Sequence, residues 1–457
     1  MTSQDAIQAL GAQLRGEIIT SEDAGYDAAR KVYNAMIDRY PRLIARCTGV
    51  ADVIGCVNFA REQGLLLAVR GGGHNGGGLG ICDNKLVIDQ SRMKGIRVDP
   101  KARTVRVEGG CTWGDVDHAT HAFGMACPSG IISTTGVGGL TLGGGIGYLA
   151  RRCGLTIDNL LGADMVLADG SFVSVGPDEH ADLYWAIRGG GGNFGVVTSF
   201  LFRLHPVHTV FAGPTVWSLD KAAEVLRWYR EFLPNAPREL NGFFTFFQVP
   251  PIPLFPEALH MQKMCGVVWC YTGAADAADE VFAPVRAFGP PAHHVTMPLP
   301  YPALQAFFDP LYPTGHQWYW RADFVDELTD AAIHQHVEHC EVPTMQSMMH
   351  LYPIDGAVHD MGRDDSAFSY RASKWAQVIV GVDPDPENKA LITDWCKDYY
   401  DALHPHGAGG AYVNFMMDEG QERVQATYRD SYARLVAVKR KFDPGNLFRV
   451  NQNIRPD

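Results

Sequence analysis

The residues best placed to do chemistry lie among glycines. The segment Arg70 to Gly80, RGGGHNGGGLG, has seven glycines in its last ten positions and sets His74 and Asn75 between two glycine runs. A second concentration, GVGGLTLGGGIG, spans Gly136 to Gly147, and a third, Gly189 to Gly192, sits inside WAIRGGGGNFGVVTSF. Clustered glycine lets backbone N–H groups approach a ligand closely and adopt positive φ. A series of such N–H groups makes a concavity suited to a pyrophosphate. One cluster alone reads as a flexible turn; three in succession favour a cradle. A neutral imidazole is a nucleophile near pH 7, and glycine neighbours leave His74 uncovered. The stretch Gly145-Ile146-Gly147-Tyr148-Leu149-Ala150 fits the dinucleotide pattern G-x-G-x-x-G/A. It follows more glycine rather than an apolar strand, so a Rossmann reading is set aside. His334, His336, His339 and Cys340 fit no metal-ligand spacing and read as a solvated helix surface, which leaves the chain without an expected metal.

The elements that must hold these loops follow from the apolar pattern. Leu43 to Cys47 reads as a strand, Val50 to Gln63 as an amphipathic helix stopped by Gly64, and Leu65 to Val69 as a buried strand leading into the first glycine loop. Leu86 to Asp89 is another strand, and Ile96 to Val98 pairs with Thr104 to Val107 across a polar turn. Residues 1–35 read as a polar lead-in with a short helix. After about residue 205 glycine thins out and aromatics rise, with Phe243, Phe244, Phe246 and Phe247 close together and Trp318-Tyr319-Trp320 further on. A domain boundary is placed there, and Gln421 to Lys441 is expected to be helical. The 457 residues carry a formal charge of −12, which disfavours nucleic acid and anionic membranes as partners. No stretch approaches the roughly 20 apolar residues of a membrane span, and Met1 to Arg15 is polar where a leader would be apolar. Ten cysteines without metal-type spacing suit a reducing compartment, so a cytoplasmic protein is expected.

Five blocks in order carry a resemblance: Arg70 to His74, Pro128 to Gly147, Arg152 to Asn159, Trp185 to Thr198, and FDPGNLFRVNQNI from Phe442 to Ile454. Together they resemble the berberine-bridge-enzyme-like FAD-linked oxidases of the vanillyl-alcohol-oxidase/p-cresol-methylhydroxylase superfamily. In character the chain is similar to bacterial members of the 6-hydroxynicotine oxidase branch. The resemblance implies an α+β, two-domain fold. Residues 1–205 form the FAD-binding domain, 206–420 a substrate domain with an antiparallel sheet covered by helices, and 421–457 return to the FAD domain. It implies FAD bonded covalently through one histidine, His74. The family's second, cysteinyl link falls at Ile132, and Cys127 does not match it, so a single tether is expected. The cofactor-binding set carried over is Arg70, Gly71, Gly72, Gly73, Asn75, Thr134, Thr135, Gly136, Gly138, Gly139, Gly143, Gly144 and Gly147. Val196 and Val197 match the adenine-contacting segment, Asn451 and Asn453 the polar residues near the isoalloxazine, and Thr135 the position beside flavin C4a.

The implied reaction is hydride abstraction from a C–H bond bearing oxygen or nitrogen of a small apolar or aromatic substrate, with O2 as acceptor and H2O2 as product. A base takes the substrate's O–H or N–H proton. In plant members a tyrosine of a Y-x-N-Y strand serves. Here that segment is Tyr412-Val413-Asn414-Phe415, and phenylalanine stands at the last position. The base is therefore sought on the strand expected over Gln346 to Tyr352, where alternation puts Gln346, Met348, His350 and Tyr352 on one face. His350 is the first choice, with Tyr352 and Tyr412 in reserve. A dehydrogenase with another acceptor, or a flavin-holding protein without a reaction, are the rival readings. Substrate identity and oligomeric state are not legible from the sequence.

Overall fold

The computed structural model describes residues 4–456. Three sheets organise the chain. In the first, Leu43–Arg46, Leu86–Asp89 and Leu67–Arg70 run parallel, and Glu17–Ile19 joins the edge antiparallel. Its central strands are continuous apolar runs because both faces are covered; Leu43, Ile44, Leu86, Val87 and Ile88 are all buried. The second sheet is antiparallel, in the order Ile96–Asp99, Thr104–Glu108, Val196–Arg203, Leu160–Val166, Phe172–Val175.

The third sheet has eight antiparallel strands. Its main path runs His293–His294, Thr209–Ser218, Lys263–Tyr271, Leu240–Gln248, Met348–Pro353, Trp375–Asp383, Gln317–Val325, and Met297–Pro300 pairs beside Thr209–Ser218. Period 2 separates its faces. Phe244, Phe246, Met349, Leu351 and Ile379 pack with the helices Ala222–Asn235, Ala278–Ala287, Asp330–Glu338 and Lys389–Leu403. Phe243, Met348, Tyr352, Val378 and Val380 belong to the core on the opposite side, toward the glycine loops. The four clustered phenylalanines, which sequence left unassigned to faces, thus divide between helix packing and cavity lining.

Several local expectations are corrected. The buried strand begins at Leu67 rather than Leu65, and the strand sought over Gln346 to Tyr352 is Met348–Pro353, with Gln346 just ahead of it. Tyr412 to Phe415 is no strand: Val413–Phe415 is a single 3-10 turn. Gln421 to Lys441 is helical as expected, in two α-helices, Gln421–Tyr428 and Tyr432–Phe442, joined by a 3-10 turn where Arg429 takes a positive φ of 44°. His336 is not on a solvated surface; it is buried, with Nδ1 2.8 Å from the Tyr399 hydroxyl. No three His, Cys, Asp or Glu side chains are grouped to hold a metal among the described residues. No helix among them is long and apolar enough to cross a membrane.

One buried acid joins the flank of the glycine loops to the large sheet's side. Asp117, on the helix Trp113–His121, is buried beside Gln305 at the end of Tyr301–Gln305. Burial pushes its carboxyl up to about 8, opposed by the Gln305 side chain. The folded state therefore holds a proton that the unfolded chain releases near pH 4. Stability falls as pH rises from about 4 to 8, by up to about 1.4 kcal/mol per unit, and levels off above. Asp117→Asn removes that slope. Thermal melts are expected to show the variant gaining on wild type between pH 5 and 8; parallel curves would refute the assignment.

Candidate active site

Two glycine loops meet backbone to backbone. A Cβ on Gly72 would lie 2.5 Å from the Gly136 nitrogen, and one on Gly136 would lie 2.4 Å from the Gly72 nitrogen. Neither position admits a side chain without parting the loops. Arg70 anchors the first loop through a 2.7 Å pair with Asp89, both side chains buried. Burial raises the Asp89 carboxyl, but Arg70 and Ser91 outweigh it and hold it below its ordinary value. Gly73 continues the loop at φ +71°, which turns the chain so that His74 faces inward. Gly72→Ala is expected to cost bound flavin and lower the melting temperature, because overpacking against backbone has no side chain to move aside. Gly25→Ala is the control, since nothing lies within 4 Å of its Cβ position and it is outside the cavity lining. Flavin absorbance and a thermal melt read both; equal melts for the two variants would contradict the crossing.

His74 is held by a stacked ring and a backbone contact. Tyr33 stacks on it with ring centroids 4.0 Å apart and planes 18° apart, and Tyr33 Oη–H donates to the Tyr312 carbonyl at 2.7 Å. Burial pushes the His74 imidazole down to about 4, opposed by a hydrogen bond with the Thr134 backbone. The ring is therefore uncharged at neutral pH, the state in which imidazole nitrogen is nucleophilic.

The loops border a cavity of about 340 Å³. It is lined by Arg70, Gly71, Gly72, Gly73, His74 and Asn75 from the first loop and by Thr135, Gly136, Gly138 and Gly139 from the second. Val197 and Asn451 line it as well. Asn451 Nδ2 donates to the Gly192 and Phe448 carbonyls, while its buried Oδ1 has no partner among the described residues. Six positions carried over from the resemblance stand outside the lining. Thr134 reaches the site through its backbone contact with His74. Gly143, Gly144 and Gly147 are pressed against Asn414, Phe368 and the Ser129 carbonyl, so their missing side chains serve protein packing. Val196 is in the sheet core, and the Asn453 carbonyl accepts from Gln421.

The opposite wall is the large sheet. Met348, His350 and Tyr352 line the cavity from one strand, joined by Trp318, Trp320, Val378 and Val380. Alternation thus places the three Met348–Pro353 residues as sequence reasoning expects. His350 Nδ1 lies 2.5 Å from Tyr352 Oη. Burial pushes His350 down to about 3 and Tyr352 well above its ordinary value, so the pair is uncharged at neutral pH. Tyr412 sits across the cavity. Its Oη accepts from Gly145 N–H and Asn414 Nδ2–H, each at 2.7 Å. Burial pushes Tyr412 up to about 12, and those two donors act against the rise. The Trp318 and Trp320 Nε1–H groups are buried donors without partners among the described residues. Arg70, already paired with Asp89, is the one formally charged side chain in the lining among the described residues.

Sequence reasoning misses Tyr33, Phe308, Tyr312 and Asn414 as cavity residues. Tyr33 lies in what reads as a polar lead-in, and no local signal marks a ring whose partner is 41 positions on. Asn414 was within reach, since it sits in the quoted Tyr412 to Phe415 segment.

Residues 41–176 match the FAD binding domain family, and residues 411–455 match the family described as berberine and berberine like. An FAD-linked oxidoreductase of Dictyostelium discoideum is 35% identical over 93% of this chain and 91% of its own. The chain belongs to the FAD-linked oxidoreductases. A second such oxidoreductase, from Bacillus subtilis (strain 168), is 30% identical over 97% of this chain and 98% of its own. Among solved structures, 6-hydroxy-D-nicotine oxidase from Arthrobacter nicotinovorans superposes with a TM-score of 0.86 at 25% identity, covering 97% of this chain and 98% of that one. This FAD-linked oxidoreductase has the two-domain α+β fold of such enzymes, and FAD is its cofactor. The residues present fit the group: the cradle excludes side chains at Gly72 and Gly136, and the Asn451 Oδ1 acceptor awaits a donor.

Proposed function

We propose that this oxidoreductase is an oxidase for a small, uncharged apolar or aromatic alcohol or amine, with O2 reduced to H2O2. The carrying observation is the uncharged His350–Tyr352 pair set in an aromatic cavity shared with the glycine cradle. In overall balance, the alcohol gives up two hydrogens to become the carbonyl compound, or the amine to become the imine, and O2 takes up both as H2O2. Bound FAD supplies the two-electron acceptor for the substrate hydride and the route of those electrons to O2.

The chain's residues prepare the proton transfer. With His350 Nδ1–H donating to Tyr352 Oη, the Nε2 lone pair is open to the substrate O–H or N–H. A neutral imidazole with a depressed pKa suffices, because the hydroxyl proton grows strongly acidic as the adjoining C–H loses hydride. The aromatic walls exclude water, and the indole donors of Trp318 and Trp320 offer hydrogen bonds to a substrate heteroatom. Tyr412, with two donors aimed at its oxygen, is the alternative proton acceptor.

The covalent attachment is proposed through His74 alone. Its uncharged, stacked ring supports the bond. Ile132 lines the cavity where the second tether is absent, and no cysteine lines it among the described residues. The FAD domain is placed at 1–205 with 421–457, and the substrate domain at 206–420. The partition of the three sheets supports this, since the strands of the third all fall between residues 209 and 383. A panel of benzylic and alicyclic alcohols and amines under air tests the reading, with peroxide and O2 consumption measured together. Reduction of the enzyme by a panel member, followed by slow reoxidation in air, would instead indicate a dehydrogenase.

A further inference from the structure

The sheet face that roofs the cavity does not end at His350. It continues onto Leu240–Gln248, Lys263–Tyr271 and Thr209–Ser218, where a second chamber of about 50 Å³ lies against it. Phe308, Tyr312, Met348 and His350 line both spaces, which therefore abut along these side chains. The rest of its lining includes Val216, Phe243, Phe247, Ile252 and Phe255. No formally charged side chain lines it among the described residues. Thr245 and Gln248 also line it, but their donors go to the Phe246 and Met261 carbonyls, and the buried acceptor left unmet is that of Gln346. Gln346 is 9% exposed, and its Nε2–H donates to the Leu311 carbonyl, which fixes the amide orientation. Its Oε1 is then left buried without a partner among the described residues. A buried acceptor without a donor costs free energy that a ligand N–H or O–H recovers.

We propose that this chamber is a subsite for the tail of the substrate. The substrate class is then an elongated, uncharged molecule: an oxidisable head beside His350, an apolar chain passing Met348, and a hydroxyl or N–H at the far end donating to Gln346 Oε1. The inference rests on the oxidase reading for which end reacts, but the subsite itself is a statement about binding. A charged tail is refused, because nothing in the chamber compensates a buried charge.

The test titrates the intact FAD-loaded enzyme with 4-alkylphenols from methyl to hexyl, and with 4-(6-hydroxyhexyl)phenol, read by perturbation of the flavin spectrum. Kd is expected to fall about fourfold per methylene until the chamber is filled. Ile252→Trp enlarges a half-buried loop residue of the lining and is designed to fill the chamber. It is expected to flatten the length series while leaving 4-methylphenol within about twofold. Gln346→Leu is expected to weaken the hydroxyl-terminated ligand at least tenfold and to spare the alkyl series. A flat series in the wild type, an unaltered series in Ile252→Trp, or no binding by any member each overturns the subsite. Graded binding with no turnover of any alcohol or amine overturns the oxidase reading and leaves the subsite standing, so the two failures are separable.

Discussion

Protein carrying His74→Ala is expected to fold and to bind FAD, yet to release all of it on acid precipitation, whereas the wild-type pellet stays yellow. His74 brings the nucleophile, the protonation state and a fixed orientation together inside the glycine cradle. Burial holds its imidazole near 4, so nearly every molecule is uncharged at pH 7. Stacking on Tyr33 and the Thr134 backbone contact remove the ring's freedom to turn away. The glycine cradle does not depend on the imidazole, so noncovalent binding survives the substitution. Tyr33→Ala tests the orientation separately: the covalent fraction falls while Tyr33→Phe, which keeps the ring, retains it. Denaturing gels scanned for flavin fluorescence read all of these. A fluorescent band from His74→Ala would place the tether on another residue.

The glycine loops and the strands around them are legible in the sequence because each depends on local rules. A buried parallel strand reads as an apolar run and a glycine run as backbone free for close approach, although the pairing of Gly72 with Gly136 is set by the fold. His350 and Tyr352 are legible for a similar reason, since period 2 fixes which side chains share a face. What escapes is decided by long-range packing. Tyr33 reaches His74 from an N-terminal segment whose polarity gives no hint of a site. Gly143, Gly144 and Gly147 look like cradle residues, yet their space is taken by Asn414, Phe368 and Ser129. The helical stretch over Gln421 to Lys441 is legible, but its change of direction at Arg429 is not, since arginine has no turn preference. His336 reads as exposed because its helix neighbours His334 and Glu338 are; Tyr399, from a helix about 60 residues on, covers it.

His350→Ala is expected to slow flavin reduction by about 10²- to 10⁴-fold, the span that a positioned general base contributes. The substitution leaves KM little changed if the imidazole acts on the proton rather than on binding. Stopped-flow reduction under nitrogen isolates the step, because reoxidation plays no part in it. The pH profile adds a second signature. An essential base lowered to about 3 by burial is already deprotonated throughout the accessible range, so kcat/KM is expected to show no acid limb between pH 5 and 8. An ordinary histidine would give one near pH 6.5. Tyr352→Phe removes the partner of Nδ1 and is expected to cost less than His350→Ala, because the lone pair at Nε2 remains. Tyr412→Phe separates the two acceptors. If it abolishes reduction while His350→Ala is unimpaired, the proton goes to the phenol oxygen that Gly145 and Asn414 already address. The shift of Tyr412 to about 12 then predicts a rate rising with pH across the alkaline range. One assignment predicts a rate independent of pH and the other a rate that climbs with pH, and one series of reductions from pH 5 to 10 decides between them.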